Sequence, residues 1–247
     1  MLDWKPLRGW REFVGEVGII VLGVLIALAA QQLVENLTTQ RQVKDMNARL
    51  EGEISHDLVV AYQRIAINRC LMGQIVNMRD LLVNSEGEWK GAPAHFGGDF
   101  YSDAFPLVYR TPTTQWITNA WDAARSSGLL NKAGPDLAAK YSVIFSGIDA
   151  MKAIQQSEFT DVSSLGDLAF DTHLTLEERH AHLRALAAVN NDNARIINIA
   201  RGVIEAAADL GVRVPPKGKV EMLRKQRAFR GTCVEEVPLA PLENAQS

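Results

Sequence analysis

Two successive hydrophobic patterns occupy the first part of the chain, and both predict helix. The first lies between Val17 and Ala30, where fourteen residues carry neither a charged nor an amide side chain. Widened to 13–34, the segment has 22 residues, and its few strongly polar side chains lie near the two ends. A helix needs about 20 mainly apolar residues to cross a bilayer. Residues 13–34 therefore predict a transmembrane helix.

Three interpretations of this segment are open: an uncleaved membrane anchor, a cleaved secretion signal, and a buried helix of a soluble protein. Its nine Val, Ile and Leu residues between Val17 and Leu28 contribute roughly −3 to −5 kcal/mol on the membrane-insertion scale, which favours insertion. A basic leader and the sequence ALA at 27–29 resemble a signal peptide. The following residues, however, continue at helical spacing with neither Pro nor Gly at the cut, so we favour the uncleaved anchor.

Basic residues beside the segment predict its orientation. Lys5, Arg8 and Arg11 precede it and are expected to stay in the cytoplasm. Basic residues also follow the segment, but long trailing domains cross a membrane largely regardless of their charge. We therefore expect a cytoplasmic leader at 1–12 and the bulk of the chain outside the bacterial inner membrane, in the periplasm.

The second pattern is an apolar stripe that recurs every three or four residues and predicts a stalk-like helix ending near residue 83. Charged residues, including Asp57 and Arg64, lie off this stripe. Because a strict heptad is not sustained, we expect the stripe to pack on its own domain rather than in a coiled coil. Its members are Val43, Met46, Leu50, Ile54, Leu58, Tyr62 and Ile65.

A long loop is predicted at 84–112, which is rich in Gly, Pro and aromatic residues. Its aromatic side chains either form a recognition surface or pin the loop to the helices, and we favour pinning. These side chains are Phe96, Phe100, Tyr101, Phe105 and Tyr109.

Helical patterns return after the loop, and alternating β patterns are absent. Pro135 suits the first turn of one helix, and Thr175 with Glu178 forms a capping box at the start of another. The predicted fold is all-α: a transmembrane helix continues into a long stalk helix and then a helical bundle. The extracytoplasmic domain is expected at 35–230, with a mobile tail at 231–247.

Composition narrows the classes of partner. The chain has 247 residues, 47% of them hydrophobic, and a net charge of −3, which argues against nucleic acid as a partner. The basic run at 217–230 suits either anionic lipid headgroups or an ordinary solvated helix, and we favour the solvated helix. The two cysteines, Cys70 and Cys233, are too few for a zinc site by themselves. An oxidising compartment would permit a disulfide between them, which the sequence leaves open.

One cluster of titratable residues has metal-ligand spacing. Glu177 and His180 share a helix face, and a third ligand would come from His173 or from another helix. The alternative, a solvated helix start whose acids complement the helix dipole, is the one we favour. No phosphate-binding loop or nucleophile elbow occurs. We therefore expect no cofactor and no enzymatic activity.

The predicted span has a face of small residues. Gly23, Ala27 and Ala30 fall on the side of the helix that also carries Glu16. Small residues at this spacing let a second helix approach closely. Either this face contacts another helix, or it reflects only the frequency of Gly and Ala in spanning helices.

The segment WREFVGEVGIIVLGVLIALAAQQLVE resembles the N-terminal signature of a group of bacterial single-pass membrane proteins that have no assigned activity. The signature is E-x-x-x-(I/V)-x-x-G-V-x-x-A-L-A. A second segment, WDAARSSGLLNKAGPDLAAKYSVIF at 121–145, resembles their helical part. The matching positions are Glu16, Ile20, Gly23, Val24, Ala27, Leu28 and Ala29. The resemblance implies single-pass topology and implies nothing about catalysis.

These observations together favour a membrane-tethered interaction protein, such as a scaffold or an accessory subunit of a membrane complex. Its expected partners are the lipid bilayer and a membrane protein or a second copy of the chain. The alternative is an extracytoplasmic bundle that senses or binds a ligand and acts through a partner.

Overall fold

The computed structural model describes residues 9–85, 87–93 and 107–238, without the side chains of residues 11 and 12. Within these ranges helices predominate, and the all-α class is confirmed. Most of the leader, the central part of the long loop and the end of the tail lie outside the described residues. The elements are α1 (Trp10–Ala66), α2 (Asn68–Asn84), β1 (Glu88–Trp89), α3 (Asn119–Ser126), α4 (Leu129–Lys132), α5 (Pro135–Ser163), β2 (Thr172–His173), α6 (Leu176–Ala208) and α7 (Pro216–Arg230).

The longest helices after α1 are α5 and α6, and they pack antiparallel. Near one end of the pair, Lys140 Nζ donates to the carbonyl of Asp209 at 3.5 Å. In the middle, Gly147 lies directly against Val203, close enough that a Cβ on the glycine would stand 2.4 Å from Val203 Cγ2. Gly147 thus permits an approach that a larger residue would block.

Three sequence signals set the bounds of the later helices. Pro135 begins α5, and the capping box of Thr175 and Glu178 begins α6, as predicted. Gly211 adopts a left-handed φ of 79° just after α6, which suits glycine at a helix end. The basic run forms α7, which starts at Pro216.

Helix α1 lies against this pair through the predicted apolar stripe. Leu50, Ile54, Leu58 and Tyr62 are fully buried, so the prediction that the stripe packs on its own domain is confirmed. On α7, Gly218 lies against Val59 of α1. From Asp57 to Ala66, no residue of α1 is exposed, so other parts of the same chain cover the last turns of the helix.

A two-stranded ribbon, not predicted from the sequence, fixes the start of the long loop. Glu88 pairs with His173 and Trp89 with Thr172, in antiparallel register. The buried indole of Trp89 also donates to the carbonyl of Leu168 at 2.9 Å. Two-residue strands are too short to show alternation, which is why the sequence pattern does not reveal them.

The predicted stalk helix is interrupted once, at Ile67, and the C-terminal segment attaches there. Ile67 has φ −93° and ψ 0°, and the Cys70 amide donates to the carbonyl of Ile67. This change frees the carbonyl of Ala66, which accepts the amide N–H of Glu235 at 2.9 Å. A disulfide joins Cys70 to Cys233, with Cα atoms 5.1 Å apart.

The tail expected to be mobile from residue 231 is thus held to the domain over its first residues. Besides the disulfide, Tyr62 donates its hydroxyl to the carbonyl of Val237, and Val234 is buried. We call residues 231–238 the C-terminal strap. The sequence does not reveal the strap, because its anchors are two distant cysteines and backbone atoms.

The packing of α5 on α6 yields a test with a matched control. Gly147→Ala should lower the free energy of unfolding by about 1–3 kcal/mol, because β-branched Val203 cannot move away from the added methyl group. Gly202→Ala, on an open face of α6, should raise it by about 0.5–1 kcal/mol through helix propensity. Urea denaturation in mild detergent, followed by circular dichroism, measures both. Equal effects of the two substitutions would contradict the close packing.

Candidate functional site

The first part of α1 is an apolar surface that the described chain leaves uncovered. From Trp10 to Thr38 no residue with a described side chain is buried or half-buried. Ile19 is 74% exposed, Ile20 66% and Ile26 62%. Within the described residues this is the one helix long and apolar enough to cross a membrane, and none of its apolar window is buried. The described domain therefore does not enclose this segment as a core helix.

Geometry places the helical domain directly beside the end of this segment. At 1.5 Å per residue, residues 13–34 extend over about 33 Å, close to the roughly 30 Å hydrocarbon core of a bilayer. Thr39 and Val43 are the first half-buried residues of α1, and Met46 is the first buried one. Residues 35–38, which are helical, therefore form the whole connection between the apolar segment and the packed part of the domain.

The small-residue face of the span is exposed throughout. Glu16, Gly23, Ala27 and Ala30 all lie on the uncovered part of α1. No atom of the described chain comes within 4 Å of a Cβ placed on Gly23, outside the atoms of its own helix. A helix–helix contact on this face remains a prediction.

The residues with metal-ligand spacing lie at the start of α6. His173 belongs to β2, where its ring packs beside Gly87, and Glu177 and His180 are exposed. No three His, Cys, Asp or Glu side chains are grouped for a metal ion anywhere in the ranges that the structure describes. The neighbouring Glu178 accepts hydrogen bonds from the Thr175 amide and hydroxyl, which lower the pKa of its carboxyl group.

The long loop is pinned to the domain at its described end. Tyr109 is buried and donates its hydroxyl to Glu158 Oε1 at 3.1 Å. Phe96, Phe100, Tyr101 and Phe105 lie outside the described residues. Trp116, beyond the loop, donates its indole N–H to Gln155 on α5 at 3.2 Å.

A buried polar cluster joins α1, α5 and α6 in the centre of the domain. The guanidinium of Arg64 donates to both carboxylate oxygens of Glu158, at 3.1 and 3.2 Å, and to Asn193 Oδ1 at 3.1 Å. Arg64 and Glu158 are both 0% exposed. Burial and the neighbouring Glu158 carboxylate raise the pKa of the Tyr109 hydroxyl.

Sequence reasoning placed Arg64 among the charged residues off the apolar stripe and did not predict that it is buried. The face of α1 that carries Arg64 is covered by α5 and α6, which supply its partners. One signal was present in the sequence: Glu158 continues the buried positions Ile144, Ile148 and Met151 of α5 at helical spacing. A carboxylate on an apolar stripe indicates a buried cationic partner.

Asp57 is likewise buried rather than solvated, and it works with Glu53 to hold α3. The carboxylate of Glu53 accepts the amide N–H groups of Ala120 and Trp121 at the start of α3. Asp57 Oδ1 accepts the amide N–H of Ile117 at 3.1 Å. Two acidic residues of α1 thus satisfy backbone donors before and within the first turn of α3.

The environment of Asp57 favours its neutral form. Burial raises the pKa of its carboxyl group from 3.8 to about 6. Hydrogen bonds with the His56 ring and the Ile117 amide lower the pKa, but burial outweighs them.

Comparison of the chain with protein-family models, with curated proteins and with solved structures finds no similar protein.

The buried ion pair predicts a strongly asymmetric response to mutation. Glu158→Ala should lower the free energy of unfolding by about 3–5 kcal/mol, because the Arg64 charge stays buried without its carboxylate. Replacing both residues by Met should cost far less than the sum of the two single replacements. Arg224→Gln, which breaks an exposed pair with Glu221 on α7, is the control and should produce no measurable change. A strictly additive double replacement in urea denaturation would contradict the proposed pairing.

Asp57 predicts a pH dependence of stability. The pKa of its carboxyl group is higher in the folded state than in the unfolded state. The folded state therefore binds more protons between about pH 4 and pH 6. As pH rises through that window, the ionisation of this carboxyl group lowers the free energy of unfolding of the domain. Asp57→Asn keeps an acceptor for the Ile117 amide and removes the charge. Between pH 4 and pH 7, the free energy of unfolding of the variant should rise relative to that of the unmodified chain by on the order of 2 kcal/mol. If urea denaturation shows a difference in free energy of unfolding between the two proteins that does not change with pH, the pKa of Asp57 is not raised by folding.

Proposed function

We propose that the chain is a single-pass membrane-tethered protein whose helical domain serves protein–protein interaction, as a scaffold or an accessory subunit of a membrane complex. The observation that carries the proposal is the uncovered apolar segment of α1, which matches a bilayer in length and composition. Two positive features support the tether: the segment lies at one end of the domain, and an unbroken helix connects the two.

The proposed topology has the N-terminus in the cytoplasm and the domain in the periplasm of a bacterial cell. Lys5, Arg8 and Arg11 favour retention of the leader on the cytoplasmic side. The disulfide between Cys70 and Cys233 supports an oxidising compartment for the domain, because cytosolic thiols are kept reduced. These two features favour the same orientation and are independent of each other.

The interaction role is supported by how the domain uses its polar groups. Arg64, Glu158 and Asn193 bond to one another, and Glu53 and Asp57 bond to backbone amides. These contacts fix helix positions and hold the domain in one shape. The partner we propose is a membrane protein or a second copy of this chain, which meets the small-residue face of Gly23, Ala27 and Ala30.

Cell fractionation tests the tether. The full chain should sediment with membranes, remain there in high salt and at alkaline pH, and dissolve only in detergent. Leu22→Arg with Leu25→Arg places two charges near the centre of the span, each unfavourable by about 2.5–3.5 kcal/mol on the insertion scale. This variant should move to the soluble fraction, whereas Leu22→Ala with Leu25→Ala should stay in the pellet.

Two results would contradict the tether. The first is an unmodified chain that stays in the supernatant after high-speed centrifugation without detergent. The second is a mature N-terminus near Ala30, since this residue lies within the span and would show that the segment is a cleaved signal.

A further inference from the structure

The C-terminal strap is joined to the rest of the domain by one covalent bond. Gly231, with φ 79° and ψ −147°, turns the chain out of α7, a backbone conformation that suits glycine. The strap then reaches the junction of α1 and α2, where the disulfide joins Cys233 to Cys70. Beside this bond, the Glu235 amide donates to the carbonyl of Ala66 at 2.9 Å. The strap is thus a short segment that lies over the ends of two helices.

We propose that the disulfide between Cys70 and Cys233 is a redox-controlled lock on the C-terminal strap. A dithiol reductant opens the bond, the strap leaves the surface of the domain, and the helical bundle stays folded. In an oxidising compartment the bond forms again and the strap is closed. The lock lies at the opposite end of the packed part of α1 from the apolar segment, so it does not depend on the membrane tether.

The noncovalent contacts of the strap are weak. Glu235 pairs with Arg69 at 2.8 Å, and both side chains are exposed. Glu236, which is also exposed, pairs with Lys219 at 2.8 Å. Ion pairs at exposed sites contribute little to stability, and hydrogen bonds contribute modestly because they replace bonds with water. Ordering the backbone of the eight strap residues opposes these gains. The disulfide therefore decides whether the strap stays in place.

The closed strap covers a face of the domain that opening would expose. The hydroxyl of Tyr62, a fully buried residue, donates to the carbonyl of Val237 at 2.9 Å. Lys219 Nζ lies 5.1 Å from the centre of the Tyr62 ring, on the same side as its partner Glu236. Release of the strap removes the acceptor of the Tyr62 hydroxyl and the donor to the Ala66 carbonyl. The opened face therefore presents a phenol, a backbone carbonyl and a thiol.

The two sulfur atoms differ in accessibility, which determines how the bond is reduced. Cys233 is half-buried, whereas Cys70 is buried. A thiolate of the reductant attacks Cys233 Sγ, forms a mixed disulfide and displaces Cys70 as a thiolate, which takes up a proton. The second thiol of the reductant then attacks its own sulfur in the mixed disulfide and releases Cys233. The reductant loses two electrons and two protons and becomes a disulfide, and the two cysteines gain them.

The contacts that hold the bundle together lie outside the strap. Helix α5 packs on α6 where Gly147 meets Val203. Arg64 of α1 binds Glu158 of α5 and Asn193 of α6 in the centre of the domain. Release of residues 231–238 removes none of these contacts. Reduction should therefore open the strap locally, without unfolding the domain.

Hydrogen exchange of the full chain in mild detergent, measured by mass spectrometry during a titration with dithiothreitol, tests the proposal. Alkylation after an acid quench counts the free thiols at each point. Exchange in the strap should become faster by about 100-fold as the two thiols appear, because the Glu235 amide loses its acceptor. The two changes should have the same midpoint. Exchange in α5 and α6 around Gly147 and Val203 should stay unchanged.

Two variants separate the disulfide from the other contacts of the strap. Cys70→Ser with Cys233→Ser cannot form the bond, so the strap should exchange rapidly with or without dithiothreitol. Glu235→Gln breaks the exposed ion pair with Arg69 and keeps the disulfide. Its strap should stay protected until dithiothreitol is added.

Three results would overturn the proposal. A strap that stays protected after both thiols are free would show that its noncovalent contacts suffice. Exchange in α5 and α6 that rises together with exchange in the strap would show that the bond stabilises the whole domain. A disulfide that dithiothreitol reduces only after urea has unfolded the domain would show that a reductant does not reach Cys233 in the folded chain.

Discussion

The apolar surface of residues 13–34 is the constraint on which the rest of the account depends. Burial of one Val, Leu or Ile side chain is favourable by about 1.5–3 kcal/mol relative to water. Nine such residues between Val17 and Leu28 together represent more than 10 kcal/mol, which is comparable to the entire stability of a typical domain. The described part of the chain covers none of this surface. A bilayer fits the length of this surface and the absence of charged and amide side chains between Val17 and Ala30.

One helix connects this apolar surface to the folded domain. Helix α1 continues without interruption from Trp10 to Ala66, and near its end Arg64 holds α5 and α6 together. At the far end of α1, the break at Ile67 provides the free carbonyl and the nearby cysteine to which the C-terminal strap attaches. Arg64 and the C-terminal strap thus attach other parts of the chain to the last turns of α1, and a domain held in this way suits the interaction role proposed above.

Features that repeat along the sequence could be predicted from it, whereas features that depend on distant partners could not. The apolar stripe from Met46 to Ile65, the capping box at Thr175 and the first-turn Pro135 are local patterns, and each lies where it was expected. Arg64 and Asp57 lie off the apolar stripe, and their burial could not be predicted, because the pattern of one helix does not show that neighbours cover a second of its sides. The pairing of Cys70 with Cys233 spans 163 positions, so spacing alone left it open. At the candidate site, the apolar segment was visible in the sequence, but the absence of cover by the described domain could be seen only once the positions of the other helices were known.

Spin labels on single cysteines introduced at Val17, Ile20, Val24 and Leu28 test the central claim most directly, because both native cysteines are held in a disulfide. In reconstituted vesicles, relaxation by oxygen and by a water-soluble nickel complex reports what surrounds each label. If lipid surrounds the segment, all four labels should be highly accessible to oxygen and poorly accessible to the nickel complex. The accessibility to oxygen should be greatest near the middle of the segment. High nickel accessibility at any position in the middle of 13–34 would show that water rather than lipid surrounds the helix.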